Sequence, residues 1–197
     1  MLILFGLAGS GKGTQGKALS EIFGWKWLSV GQVLRDVEKY EKLVNTGKLV
    51  PDEEVIELMG KYMKKAEAEG FEVILDGYPR NVRQAEWVLE NMLERIDGVI
   101  MLDVPKEELL KRLELRGRKD DKDEASIKRR FEVFEQNICS ILSLLEAKKV
   151  PIQYVDGVGT VEEVTKRLVK IVKKMMPKAT EQTEDVNGGE IEKSYGE

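Results

Sequence analysis

The sequence predicts a three-layer α/β/α fold, with a parallel five-stranded sheet between two layers of helices. Short, uniformly apolar runs alternate along the chain with segments of helical periodicity. Strands that are apolar on both faces are typical of parallel sheets covered by helices. A glycine-rich turn joins the first apolar run to the first helical segment. The length of 197 residues favours one compact domain with room for a small insertion.

Five apolar runs are the candidate strands of this sheet. They are Leu2–Phe5, a segment within Trp25–Ser29, Val73–Asp76, Gly98–Pro105 and Pro151–Val155. The segments between them have the spacing of helices, so each pair of consecutive strands is expected to be parallel.

Prolines, glycine and acidic residues mark where the helices begin and end. The first helix follows the glycine-rich turn and is expected to stop at Gly24. Pro51 and Pro105 each precede acidic residues and an apolar stripe, which is typical of a helix start. Thr160 and Glu163 have the spacing of a capping box and predict the start of the last helix.

The helix after Glu124 has apolar residues at alternating steps of four and three. They are Ile127, Phe131, Phe134, Ile138, Ile141 and Leu145. This is the spacing of a heptad seam. The stripe is interpreted as packing on the sheet of its own chain, which makes a monomer the default. The alternative is a homo-oligomer that forms through the Ile127–Leu145 helix.

Composition excludes several classes of function. The net charge is −4, so no general attraction to nucleic acid or to an anionic membrane is expected. No apolar run is long enough to span a bilayer and no signal peptide is visible, which favours a cytoplasmic location. The chain has no histidine, which excludes an imidazole base or a histidine metal ligand. Its single cysteine, Cys139, excludes an internal disulfide and is expected to be buried and inert.

The segment Gly6–Thr14, GLAGSGKGT, is nearly a phosphate-binding P-loop. It follows a candidate strand and precedes a candidate helix, as such a loop requires. Gly6, Gly11 and Lys12 match the motif, but Gly13 stands where a hydroxyl residue normally binds Mg²⁺. The backbone amides from Gly9 onward and the Lys12 ammonium therefore predict a phosphate site without the usual metal ligand.

A second motif, VILDGYPRN, lies at the end of another candidate strand. The strand ends at Asp76, Gly77 and Pro79 turn the chain, and Arg80 is projected at the carboxyl edge of the sheet. Ligands bind at that edge in open α/β sheets. Arg80 is therefore expected at a ligand-binding edge of the sheet.

Together the two motifs resemble the adenylate kinase family of nucleoside monophosphate kinases. The family loop reads G-x-P-G-x-G-K-G-T-Q, from which this chain departs at Ala8, and the second motif matches D-G-[FY]-P-R. The resemblance implies a P-loop kinase that transfers a phosphoryl group reversibly from Mg²⁺-bound ATP to AMP and forms two ADP. It implies Mg²⁺ as cofactor without a direct protein ligand, with Asp76 acting through water.

The resemblance also implies an acceptor site. Arg35 and Arg80 would hold the monophosphate, and Gln84 would read the adenine edge. The implied AMP-binding residues are Val30, Arg35, Leu49, Val50, Gly77, Arg80, Gln84, Arg118 and Arg129. Val30 stands where the family commonly has Thr, and Gln32 where it commonly has Asp.

The donor site and the lid are implied in the same way. Arg116, Arg118 and Arg129 resemble phosphate-clamping arginines, and Arg112 resembles one that stacks on the donor base. Asp120 and Asp121 are acids that would order the lid arginines. The implied ATP-binding residues are Gly9, Ser10, Gly11, Lys12, Gly13, Thr14, Arg112 and Arg116. The implied catalytic residues are Lys12, Arg80, Arg116, Arg118 and Arg129.

The expected organisation is a single kinase domain over residues 1–177, with a monophosphate-binding part at about 30–60. A very short lid at about 116–126 has one glycine, Gly117, between two of its arginines. So small a lid predicts loose reading of the donor base, so that GTP, CTP or UTP replaces ATP. The polar, non-periodic segment 178–197 is predicted to be a disordered tail.

Two alternatives stay open from the sequence. A kinase of UMP and CMP, or one of broad specificity, would use the same fold, although Gln84 favours AMP over the pyrimidines. A P-loop ATPase or nucleotide-binding regulator would need no acceptor, and its ATP turnover would not depend on AMP.

Overall fold

The computed structural model describes residues 1–45, 50–118, 121 and 123–177. Leu49, the predicted tail 178–197 and three residues of the predicted lid lie outside this part of the chain. The assignments of the tail and the lid therefore stay predictions.

A five-stranded sheet with all strands parallel forms the centre of the fold. Its strands are β1 (Leu2–Phe5), β2 (Lys26–Ser29), β3 (Val73–Asp76), β4 (Gly98–Asp103) and β5 (Ile152–Asp156). Their order is β2-β3-β1-β4-β5. The predicted fold class is confirmed. Because β1 pairs with both β3 and β4, the turn that follows it opens between the ends of these two neighbours.

Eight α-helices connect or flank these strands within the described residues. They are α1 (Lys12–Phe23), α2 (Val30–Asp36), α3 (Glu38–Asn45), α4 (Asp52–Ala68), α5 (Val82–Met92), α6 (Lys106–Arg116), α7 (Glu124–Ala147) and α8 (Val161–Met175). Gly24 ends α1 in the left-handed conformation, and the capping box of Thr160 and Glu163 starts α8, both as predicted.

Alternate residues of β1 enter separate cores on the two faces of the sheet. Ile3 and Phe5 lie in a cluster with apolar residues of α2, α4, α5 and α7. Leu2 and Leu4 lie in a second cluster with residues of α1 and α8. This alternation follows from the two-residue period of a strand, and it produces the three layers.

The apolar stripe of α7 packs within its own chain. Ile141 and Leu145 are buried in the core that contains Ile3, and Phe131 is buried in a smaller cluster with Leu109. This packing agrees with the interpretation of the stripe as core. Cys139 is exposed, so its expected burial was wrong. It follows the stripe residue Ile138 directly, and successive helical residues point about 100° apart.

None of the helices in the described ranges is long and apolar enough to cross a membrane.

Candidate active site

One large cleft opens at the carboxyl edge of the sheet. Its volume is about 1530 Å³, whereas sites for one small molecule commonly have about 300–1,000 Å³. The glycine-rich turn after β1, Asp76 at the end of β3 and the first residues of α2, α4 and α5 line it. The cleft is therefore large enough for two nucleotides side by side.

The turn after β1 has the backbone that phosphate binding requires. Gly9 and Gly11 have positive φ angles of 88° and 94°, which side chains disfavour. A Cβ at Gly9 would also lie 2.9 Å from the carbonyl oxygen of Leu109. Gly11 is the N-cap of α1 and provides no side-chain hydrogen bond to it. The start of α1 thus lies at the cleft, which Ser10, Gly13 and Thr14 also line.

The Lys12 ammonium is held against the loop. Nζ donates hydrogen bonds to the carbonyl oxygens of Gly6 (2.7 Å) and Leu7 (2.9 Å). Burial lowers the pKa of Lys12 to about 8, although the Asp76 carboxylate opposes this shift. Arg80, Arg116 and Arg130 lower the pKa further. The site therefore concentrates positive charge in a place that favours a bound anion.

Arg35 and Arg80 approach each other at the start of α2. A Cβ at Gly31 would lie 3.4 Å from Nη2 of Arg35 and 3.7 Å from Nη2 of Arg80. The Arg80 Nε donates to the carbonyl oxygen of Gly77 at 2.9 Å, which aims the guanidinium along the cleft edge. The structure thus brings together the two arginines assigned to the monophosphate.

Asp121 joins two further arginines. The Arg116 guanidinium donates to both carboxylate oxygens at 2.6 Å, and Arg130 donates to Oδ1 at 2.9 Å. The Asp121 side chain is only 1% exposed, against 33% for Arg116 and 27% for Arg130. Burial raises the pKa of Asp121, but the arginine hydrogen bonds outweigh it and leave the pKa below its ordinary value.

The structure directs Arg130, rather than the predicted Arg129, to the cleft. Arg129 is exposed and is not among the described residues that line the cleft. Arg130 lines it together with Val133 and Asn137, at intervals that keep one helical face. The one-residue difference turns Arg129 about 100° away. The helical spacing is visible in the sequence, but which face of α7 meets the cleft is shown only by the structure.

Arg112 and Arg118 also line the cleft. Nε of Arg112 donates to Oε1 of Glu108 at 2.8 Å, and Nη1 donates to the carbonyl oxygen of Gly157 at 3.1 Å. These contacts hold the Arg112 guanidinium between α6 and the turn that follows β5.

The cleft is also lined by the predicted Val30, Val50 and Gln84, all buried. Gly77 precedes Arg80 with a φ of 70°. The Gln84 side chain is hydrogen-bonded to Asp52, a residue that the sequence analysis did not single out. The pair joins the starts of α4 and α5, which are far apart in sequence.

The side chains around the loop suit a hydrated Mg²⁺. Asp76 is 6% exposed, lines the cleft and lies close to Gly13, whose Cβ would be 3.5 Å from Oδ2. Within the described residues there is no group of three or more acidic, cysteine or histidine side chains for a metal. A cation that keeps several waters and binds through phosphates fits this donor set.

Comparisons with known proteins agree with this geometry. A model of the family described as adenylate kinase matches residues 4–150. An adenylate kinase of Thermus thermophilus is 37% identical over 183 residues, which cover 85% of this chain and 94% of the relative. One of Porphyromonas gingivalis is 35% identical over 190 residues, covering 88% and 95%. One of Synechococcus sp. is 36% identical over 179 residues, covering 85% and 95%. The chain belongs to the adenylate kinase family.

Proposed function

We propose that this enzyme catalyses the reversible transfer of a phosphoryl group from ATP to AMP, which forms two ADP. The observation that supports it best is one cleft with two separate anion sites. The loop around Lys12 suits a polyphosphate, and the pair of Arg35 and Arg80 suits a monophosphate. Kinases of UMP and CMP share such a cleft, but a buried glutamine at position 84 favours adenine.

The reaction needs no general base. The nucleophile is an oxygen of the AMP phosphate, whose second pKa is about 6, so it is largely ionised at neutral pH. Catalysis then consists of alignment and of neutralising charge on the transferring group. Lys12, Arg80, Arg116, Arg118 and Arg130 supply positive charge to the cleft. Arg130 replaces Arg129 in this assignment because only Arg130 faces the cleft.

Magnesium, when bound with ATP, would neutralise part of the phosphate charge. Asp76 is the residue that would hold it, through a water molecule. Lys12 remains fixed by the loop carbonyls, and the loop amides orient the phosphates. The cleft must exclude water when both nucleotides are bound, since water would otherwise accept the phosphoryl group.

The donor base is expected to be read loosely. Arg112 offers a flat guanidinium in the lining of the cleft, and stacking on it makes no distinction between base edges. Initial rates with GTP, CTP and UTP within about tenfold of the ATP rate are expected; a strict ATP requirement would contradict this part of the proposal.

A monomer in the cytoplasm is the proposed setting. The α7 stripe is packed within its own chain, which leaves it unavailable for a second copy. Light scattering that gives a dimer would contradict the monomer.

The test is to incubate the protein with Mg²⁺ and ATP and to separate the product nucleotides by chromatography. AMP, UMP, CMP and GMP are offered in parallel, with a sample that contains no acceptor. ADP is expected to form rapidly only with AMP, two molecules for each ATP used. Comparable rates with UMP or CMP would indicate a pyrimidine kinase, and ADP formation without acceptor would indicate an ATPase.

A further inference from the structure

The amide of Gln84 is held from two sides. Its Oε1 accepts a hydrogen bond from the backbone N–H of Arg80 at 2.8 Å. Its Nε2 donates to Oδ1 of Asp52 at 2.8 Å. Gln84 is 3% exposed, so neither contact is open to competition from bulk water.

Asn81 is fixed by the same aspartate. Its Nδ2 donates to Oδ1 of Asp52 at 2.8 Å, and its Oδ1 accepts the backbone N–H of Gln84 at 3.0 Å. The start of α5 is thereby tied to the first residue of α4. Asp52 thus holds two amides in one orientation each.

These partners determine which end of the Gln84 amide is oxygen. A backbone N–H can only donate and a carboxylate can only accept, whereas an amide group does one at each end. Rotating the amide by 180° would place Nε2 against the Arg80 N–H and Oε1 against the Asp52 carboxylate. Both contacts would become repulsive, so the reverse orientation is excluded while both partners are present.

The remaining hydrogen-bonding capacity has a defined direction. One lone pair of Oε1 and one N–H of Nε2 are not used by any residue in the described part of the chain. Adenine offers a donor at its amino group and an acceptor at the adjacent ring nitrogen, and it matches this pair. Hypoxanthine has a carbonyl oxygen and a ring N–H at the same positions, and it requires the reversed amide.

We propose that Asp52 is a positioning residue for base selection: it fixes the orientation of the Gln84 amide so that the acceptor site takes 6-aminopurine nucleotides and rejects 6-oxopurine nucleotides. This rests on the proposed function, because Gln84 must face the acceptor base. Asp52 also lies in the first turn of α4, where a carboxylate stabilises a helix. The experiment must therefore separate selection from stability.

The test measures kcat/KM for AMP and for IMP, which differ at the 6-position and the adjacent ring nitrogen, with Mg²⁺ and ATP as donor. The wild-type enzyme is expected to prefer AMP by at least about 100-fold. Asp52→Asn leaves a side chain that can donate or accept, so only the Arg80 N–H still opposes reversal of the Gln84 amide. The preference for AMP is therefore expected to fall at least about tenfold. Asp52→Ser serves the same purpose if the first variant does not fold.

Glu53→Gln is the matched control. Glu53 is the next residue of α4 and pairs with Arg83 of α5 at 2.7 Å, outside the nucleotide cleft. The preference of the Glu53→Gln variant for AMP over IMP should equal that of the wild type. If the Asp52 variants lowered kcat/KM for AMP and for IMP by the same factor, the proposal would be overturned, because Asp52 would then have a structural role only. Wild-type use of IMP at the AMP rate would also overturn it, whereas wild-type inactivity with AMP would refute the proposed function itself.

Discussion

Each end of the cleft has one buried or partly buried aspartate, and the two aspartates accept hydrogen bonds from different kinds of side chain. The Asp121 carboxylate forms ion pairs with the guanidinium groups of Arg116 and Arg130. The Asp52 carboxylate accepts hydrogen bonds from the side-chain amides of Asn81 and Gln84. The first end concentrates charge, while the second end sets the direction of neutral hydrogen bonds.

The difference separates rate from selection. Positive charge stabilises a transferring phosphoryl group whatever base is attached to it. A neutral amide contributes little to that charge, but it distinguishes donors from acceptors on a base. Changes near Asp121 should therefore alter turnover with every nucleotide, and changes near Asp52 should alter the choice between nucleotides.

The largest effect is expected for Arg130→Ala, which removes one positive charge from the cleft. An arginine that stabilises phosphoryl transfer is worth about 10³–10⁵ in rate, so kcat with ATP and AMP should fall at least about 10³-fold. Arg129→Ala is the matched control, because this neighbour is exposed outside the cleft, and it should keep kcat within about twofold. If steady-state kinetics showed a larger loss of kcat for Arg129→Ala than for Arg130→Ala, the catalytic role would belong to Arg129.

Asp121→Asn should give the next effect. The amide cannot accept from both arginines with the strength of a carboxylate, so the guanidinium groups lose their alignment. A misplacement of this kind can cost about 10²-fold in kcat. The loss should be the same with AMP and IMP. A change in the preference between them would mean that the two ends of the cleft are not independent.

The pH dependence of kcat/KM for ATP should report Lys12. Its pKa of about 8 means that the ammonium is charged below pH 8 and neutral above it. The value of kcat/KM should therefore fall above pH 8, approaching tenfold per pH unit. Lys12→Arg keeps its charge throughout, so its lower activity should show no such fall. A fall that persists in this variant would assign it to another group.

The smallest effect is expected for Asp123→Ala, at the start of the helix that bears Arg130. The Asp123 carboxylate accepts the backbone N–H of Ser126 at 3.0 Å and caps α7. Its removal should lower the free energy of unfolding by about 1 kcal/mol, while Asp123→Asn should retain most of the cap. Urea unfolding measures both, and an unchanged alanine variant would show that the cap adds nothing.

Local patterns in the sequence predicted most of the fold. The apolar runs, the helix-starting prolines and the capping box each act within a few residues, so β1, β3 and the start of α8 agree with prediction. The loop around Lys12 was predicted for the same reason. The prediction that Cys139 is buried was wrong, because an apolar neighbourhood in sequence does not determine which face of a helix a residue occupies.

The missed site residues needed three-dimensional information. Asp52 meets Asn81 and Gln84 across 29 and 32 residues of sequence, and no local pattern encodes that contact. Residues 129 and 130 are both arginine, and they differ only in the face of α7 that they occupy. The face became clear from Val133 and Asn137, which continue the lining of the cleft beyond Arg130.

The most direct test compares kcat/KM for AMP and IMP across the wild type, Asp121→Asn and Asp52→Asn in one assay. We predict that Asp121→Asn lowers both values by the same factor and keeps the preference for AMP. We predict that Asp52→Asn reduces this preference at least about tenfold. If both variants changed the two values in parallel, the division of the cleft into a rate-setting end and a base-selecting end would be contradicted.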